Sequence, residues 1–218
     1  MSETRIYLGG HSLGGADAYE YAYSRLVRGL RVDGIFALAP ARPGDGVIGL
    51  RFCAAPGLEI RAIANRHDPI PTVPLDIPAL GEDYAQPSPL EAIDEAPPPG
   101  SDIVFGRHKV ALYVSGCRKL PQGEGPIALE RAATEIARLY DDPDGWDWIN
   151  PADGLYWGMI QINGARLMIR RGSTTRKDWF REDFDAVEIG VLGARMSRGF
   201  WSGVGPIEPL LDEVLATK

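Results

Sequence analysis

Residues 5–16 read Arg5-Ile6-Tyr7-Leu8-Gly9-Gly10-His11-Ser12-Leu13-Gly14-Gly15-Ala16. The apolar run 5–9 predicts a short buried strand, and the glycines after it predict a tight turn. From Leu13 to Leu30 the residues Ala16, Ala18, Tyr19, Ala22, Tyr23, Leu26 and Val27 recur at helical spacing. Residues 10–14 match Gly-x-Ser-x-Gly, which is a weak signal alone in a chain with 26 glycines. Its place between a strand and a helix is stronger. A nucleophile elbow needs that setting, because it presents a serine hydroxyl at a helix N-terminus from a strained turn. The competing reading is a Gly-rich turn with a capping serine.

Outward from this stretch the pattern repeats. Residues 33–39 read as a second buried strand stopped by Pro40, and residues 58–64 as a third. Strands with little alternation, one following a helix, predict a mostly parallel sheet covered by helices on both faces, the α/β class. Residues 65–106 are rich in proline and acids and are too long for an ordinary connection. Val110 to Val114 is apolar again, and residues 116–126 read as a linker. Residues 126–140 predict a helix with Ile127, Ala132, Ile136 and Leu139 as its apolar stripe. Residues 155–162 and 165–170 predict a hairpin turning at Asn163-Gly164, and residues 205–216 a last amphipathic helix.

The chain has 218 residues, below the roughly 250–300 at which cores split, so a single domain over 1–218 is expected. Its formal net charge is −7, a poor match to nucleic acid or to an anionic membrane surface. Only Cys53 and Cys117 are present, which excludes a disulfide framework and a cysteine-rich zinc site; one bridge or two buried thiols remain as readings. No run approaches the roughly 18 apolar residues of a membrane span. The first residues show no signal-peptide core, so a soluble, cytoplasmic protein is expected.

A serine hydroxyl is a weak nucleophile and needs a base, which in turn needs an orienting carboxylate. The histidines are His11, His67 and His108. His11 is expected to point away from the hydroxyl beside it. Ser12, Asp68 and His108 follow the chain order Ser, Asp, His of α/β-hydrolases, so His108 is expected as the base in preference to His67. The three scattered histidines show no metal-ligand spacing, and no metal or cofactor is expected. The Lys-Ser/Thr end of a Walker loop is absent after Gly9-Gly10-His11-Ser12.

Several strings together resemble the class 3 lipases, the fungal-type lipase and plant phospholipase family. Gly10-His11-Ser12-Leu13-Gly14-Gly15-Ala16 is similar to that family's elbow, and Ala41-Arg42-Pro43-Gly44-Asp45 to its Pro-Arg-x-Gly-Asp segment. Asn65-Arg66-His67-Asp68-Pro69-Ile70-Pro71 is similar to its Asn-x-x-Asp-x-Val-Pro segment, where the Asp is the triad acid, and Gly106-Arg107-His108 stands where the family has its triad histidine. Arg170-Arg171-Gly172-Ser173 with Lys177-Asp178-Trp179 and Asp183 resembles its Arg-Gly-Ser/Thr and Asp-Trp-x-x-Asp segment. Arg198-Gly199-Phe200 resembles its His-x-Gly-Phe segment, with Ser197 or Arg198 in place of the His. In the family these last segments precede the elbow. Reading 126–218 and then 1–119 restores the family's order, so the chain resembles a circular permutation with 116–126 as the new connection.

The resemblance implies an α/β-hydrolase fold and a lipid-type carboxylic ester hydrolase, a serine esterase or lipase acting on a small-molecule ester. Ser12, His108 and Asp68 would form its triad, and the backbone of Leu13 with Ser173 its oxyanion hole. Residues 174–186, with Trp179, Phe180 and Phe184, correspond to the family's lid, or else form a fixed surface segment. Any contact with a lipid interface would then be transient. Trp146, Trp148, Trp157 and Trp201 are candidates for an acyl groove or for plain core. An acyltransferase or thioesterase with the same triad, or a catalytically silent binding module, are the alternatives.

Overall fold

A computed structural model of the protein describes residues 4–74, 83–102, 106–141, 146–150, 157–172 and 188–217. Its centre is a seven-stranded sheet in the order β4-β3-β2-β1-β7-β6-β5. The strands are β1 (Arg5–His11), β2 (Gly34–Leu38), β3 (Glu59–Asn65), β4 (Glu91–Ile93), β5 (Trp148–Asn150), β6 (Trp157–Ile162) and β7 (Ala165–Arg170). β4, β3, β2, β1 and β7 pair in parallel, while β6 runs antiparallel to β7 and β5 antiparallel to β6. A separate antiparallel hairpin joins β8 (Glu188–Val191) to β9 (Ala194–Ser197).

Helices cover both faces, as the unalternating strands require. The period-2 pleat of β1 sends Ile6 and Leu8 to one face and Tyr7 to the other. On the first face lie α1 (Leu13–Val27), α2 (Gly46–Cys53) and α6 (Glu208–Ala216). On the second lie α3 (Val110–Cys117) and α4 (Leu129–Asp141), whose Ile136 and Leu139 pack with Phe36 and Ile63. The short α5 (Arg198–Trp201) carries Phe200 against Leu13 and Ala16.

Some boundaries differ from the sequence reading, for local reasons. α1 stops at Val27, not Leu30, because Gly29 takes φ 73°, a left-handed terminator. α3 continues through Cys117, so the connection to α4 begins at Arg118 and not at 116. Residues 65–106 are not featureless: a 3₁₀ turn at Ile70–Thr72 follows Asp68, and β4 adds a parallel edge strand held by the Arg61–Glu91 fork at 2.5 and 2.8 Å. The predicted hairpin turns at Asn163-Gly164 with φ 50° and 77°, the paired left-handed residues that such a two-residue turn needs. Both cysteines are free; Cys117 is buried, but Cys53 is exposed. Among the described residues no helix is long and apolar enough to cross a membrane.

The four described tryptophans pack in or against the core. Trp157 is fully buried with Trp148 and Trp201 beside it on the first face, and Trp146 packs on the second under the Arg138 guanidinium.

Candidate active site

Ser12 is the residue between β1 and α1, at φ 62° and ψ −128°. Left-handed backbone at a serine costs about 1–3 kcal/mol and persists only where its surroundings over-determine it. Here they do. The Ser12 N–H donates to the Leu38 carbonyl at 2.9 Å, and its own carbonyl accepts from Gly15 at 2.9 Å. The flanking glycines have no room for a side chain. A Cβ at Gly10 would lie 2.1 Å from the Gly14 carbonyl oxygen, and one at Gly14 would lie 2.1 Å from the Arg170 oxygen. The Gly-x-Ser-x-Gly spacing is therefore the packing requirement of a helix start wedged between β1 and the end of β7.

Asp68 follows β3 on a turn shaped by Asn65. The Asn65 carbonyl accepts from the Asp68 N–H at 2.9 Å, and its side-chain amide donates to the Glu95 carbonyl at 2.9 Å. The Asp68 carboxylate is buried and accepts three hydrogen bonds: from the Ile70 N–H at 2.9 Å, the Tyr113 hydroxyl at 2.7 Å and His108 Nδ1 at 2.6 Å. An ionised carboxylate is acceptor-only, so the bond to His108 fixes the proton on Nδ1 and leaves Nε2 as the basic nitrogen. Tyr113, on α3, also accepts from the Asn65 N–H at 3.1 Å, and burial with the nearby Asp68 charge raises its hydroxyl pKa well above the usual phenol value. It thus remains a donor to Asp68. Sequence reasoning missed Tyr113, whose one signal is a hydroxyl inside the apolar run 110–114.

His108 stacks on His11, with ring centroids 4.5 Å apart and planes at 28°. Asp68 and His108 are thereby brought to the residue that precedes Ser12. His11 is 4% exposed, and Tyr113 and Tyr140 pack edge-on against its ring. Its pKa is pushed well below the usual value, first by burial and then by the neighbouring His108. His11 therefore stays neutral beside the His108 ring. His67 is elsewhere: it is half-buried and pairs with Asp94 at 2.8 Å.

Leu13 opens α1, where helix geometry gives the first N–H groups no intrahelical acceptor. Gly172 backs directly onto the serine turn. A Cβ there would lie 2.3 Å from the His11 oxygen and 3.0 Å from Ser12 Cβ, and the Gly172 N–H donates to the Tyr140 hydroxyl at 2.9 Å. Ser173, and the segment 174–186 with Trp179, Phe180 and Phe184, lie outside the described residues.

The other family-like strings do structural work. Asp45 caps α2 by accepting from Val47 at 3.1 Å, and it ties that helix to β9 by accepting from the Arg195 N–H at 3.1 Å. Ser197 precedes α5 and donates its N–H to the Pro43 carbonyl at 2.9 Å. Among the described residues no cluster of three or more His, Cys, Asp or Glu side chains could hold a metal ion.

Comparisons with protein-family models, with curated proteins and with solved structures find no match for this chain.

Proposed function

We propose that the protein is a carboxylic ester hydrolase with an α/β-hydrolase fold, a circularly permuted relative of the class 3 lipases. The observation that carries this is the strained Ser12 turn at the head of α1, with the Asp68–His108 pair stacked on the residue before it. In the proposed reaction Ser12 Oγ attacks the ester carbonyl carbon while His108 Nε2 takes the hydroxyl proton. The tetrahedral adduct collapses, and His108 returns that proton to the departing alcohol. Water then repeats the sequence on the acyl-enzyme and frees the acid. Asp68 holds the imidazole and stabilises its charged form. The Leu13 N–H and Ser173 are the proposed donors to the oxyanion, each worth up to about 3–4 kcal/mol.

The permutation is supported by the sheet order. Sequential strands tend to be spatial neighbours. Reading 126–218 before 1–119 turns the order into β5, β6, β7, β1, β2, β3, β4, in which every strand lies beside its predecessor. Thr4 and Ala216 line one cavity, so the two ends that this reading would join lie close together.

The test is hydrolysis of p-nitrophenyl butyrate by the parent, Ser12→Ala and His108→Ala proteins. Loss of either group is expected to lower kcat by about 10⁴-fold or more. A fluorophosphonate should label Ser12 in the parent. Undiminished activity in Ser12→Ala would overturn the assignment.

A further inference from the structure

The end of the sheet remote from Ser12 holds a cavity of about 820 Å³. It opens at the start of β1, between the ends of α1 and α6 and the β6–β7 hairpin. Its volume falls in the roughly 300–1,000 Å³ range of small-molecule sites. Ile6, Leu30 and Leu215 supply an apolar part of the lining, and Arg25, Arg31 and Arg166 supply the cations.

The three arginines differ in how they are compensated. Arg25 reaches Asp212 at 2.5 Å, and Asp212 also pairs with Arg28, which reaches Glu208 at 2.8 Å. Arg31 forks onto Asp33. Arg166 has no carboxylate partner among the described residues. It is 6% exposed, its guanidinium donates to the Leu215 carbonyl at the end of α6, and its buried Nε has no partner. A guanidinium stays charged at any pH at which a protein folds. One helix-terminal carbonyl offsets part of the desolvation of that charge, and an anion would complete it.

We propose that this cavity binds an organic anion, with its carboxylate or phosphate head on Arg166 and its chain against Ile6, Leu30 and Leu215. The site is independent of the hydrolase reading: Ser12 lies six residue steps along the chain from Ile6, about 20 Å at roughly 3.3 Å each. The head group has two sources, a fatty carboxylate or a phosphate monoester, and two probes distinguish them.

The experiment is calorimetric titration of the full chain with octanoate, octyl phosphate and, as an uncharged control, octanol. Saturable binding of at least one anion is expected, and octanol should bind more weakly. Arg166→Met should weaken the anion about tenfold or more, the loss of a charge-assisted hydrogen bond. Arg166→Lys keeps a cation at the end of α6 but loses the planar fork, and a severalfold loss is expected. Where the Met variant does not fold, the Lys variant decides. No saturable uptake up to about 10 mM, or equal affinity in the folded variants and the parent, overturns the proposal.

Discussion

At the scale of single residues, the Asp68 carboxylate is held by more than His108. Tyr113 donates to the same oxygen, Oδ2, that His108 uses. Tyr113→Phe keeps the ring and removes that donor, a hydrogen bond to a charged group worth about 1.5–3 kcal/mol. Steady-state kinetics on p-nitrophenyl butyrate should show a fall in kcat with little change in KM, and a pH profile displaced from the parent's. An unchanged profile would assign Tyr113 to packing alone. A second buried polar group lies outside the proposed chemistry. Glu20 is fully buried on α1 with neither oxygen partnered, and burial, then the nearby Asp17, push its pKa well above the usual value. Asp17 itself pairs with the buried Arg170 at 2.7 Å. A raised folded-state pKa contributes stability that is fully present below the unfolded value and is lost as pH rises through the folded one. The parent should therefore lose ground to Glu20→Gln above about pH 4.5, by up to about 1.4 kcal/mol per pH unit. Urea midpoints at acid and alkaline pH measure this, and a pH-independent gap between the two proteins would contradict it.

At the scale of elements, glycines at two helix starts behave oppositely. Gly14, in the first turn of α1, faces the Arg170 carbonyl, whereas a Cβ at Gly46, the first residue of α2, would meet nothing within 4 Å. Gly14→Ala should displace α1 from β7 and destabilise by about 1–3 kcal/mol or more. Gly46→Ala should stabilise by about 0.4–1 kcal/mol. Thermal melts of the pair test whether close packing, and not turn flexibility, sets the glycine content around Ser12. The same contrast explains what was legible in the sequence. β1, β2, β3 and the Asn163-Gly164 hairpin were readable because apolar runs and turn residues coincide there. The pairing of Asp68 with His108 was readable from residue type and chain order. The β8–β9 hairpin was not, because its turn uses Leu192 at φ 49° before Gly193, and leucine carries no turn signal. α2 was hidden because its eight residues are too few to establish a helical period. α3 is too short for its apolar run to separate helix from strand. Tyr113 was lost with it, since its role depends on which way a helix turns.

At the scale of the whole molecule, the two parts of the chain share one sheet, with β1 paired to β7 from Arg5↔Ala165 to Gly10↔Arg170. If the chain is a permuted lipase, the sheet does not depend on where the polypeptide begins. Joining residue 217 to residue 4 by a short loop and opening the chain between α3 and α4 should keep one cooperative thermal transition and comparable esterase activity. A relinked chain without a cooperative melt would count against the permutation.

The β1–β7 pairing also sets the order of events during synthesis. Of the strands in this sheet β1 is synthesised before the others, and β2 can cover one of its edges early. Its other edge waits for a partner about 160 residues downstream. At roughly 5–20 residues per second, that is on the order of 10–30 s. Throughout that interval the central strand of the finished sheet keeps an open edge, able to pair with a neighbouring nascent chain. Yield of this protein should therefore depend on elongation rate and chaperone supply more steeply than its finished stability would suggest.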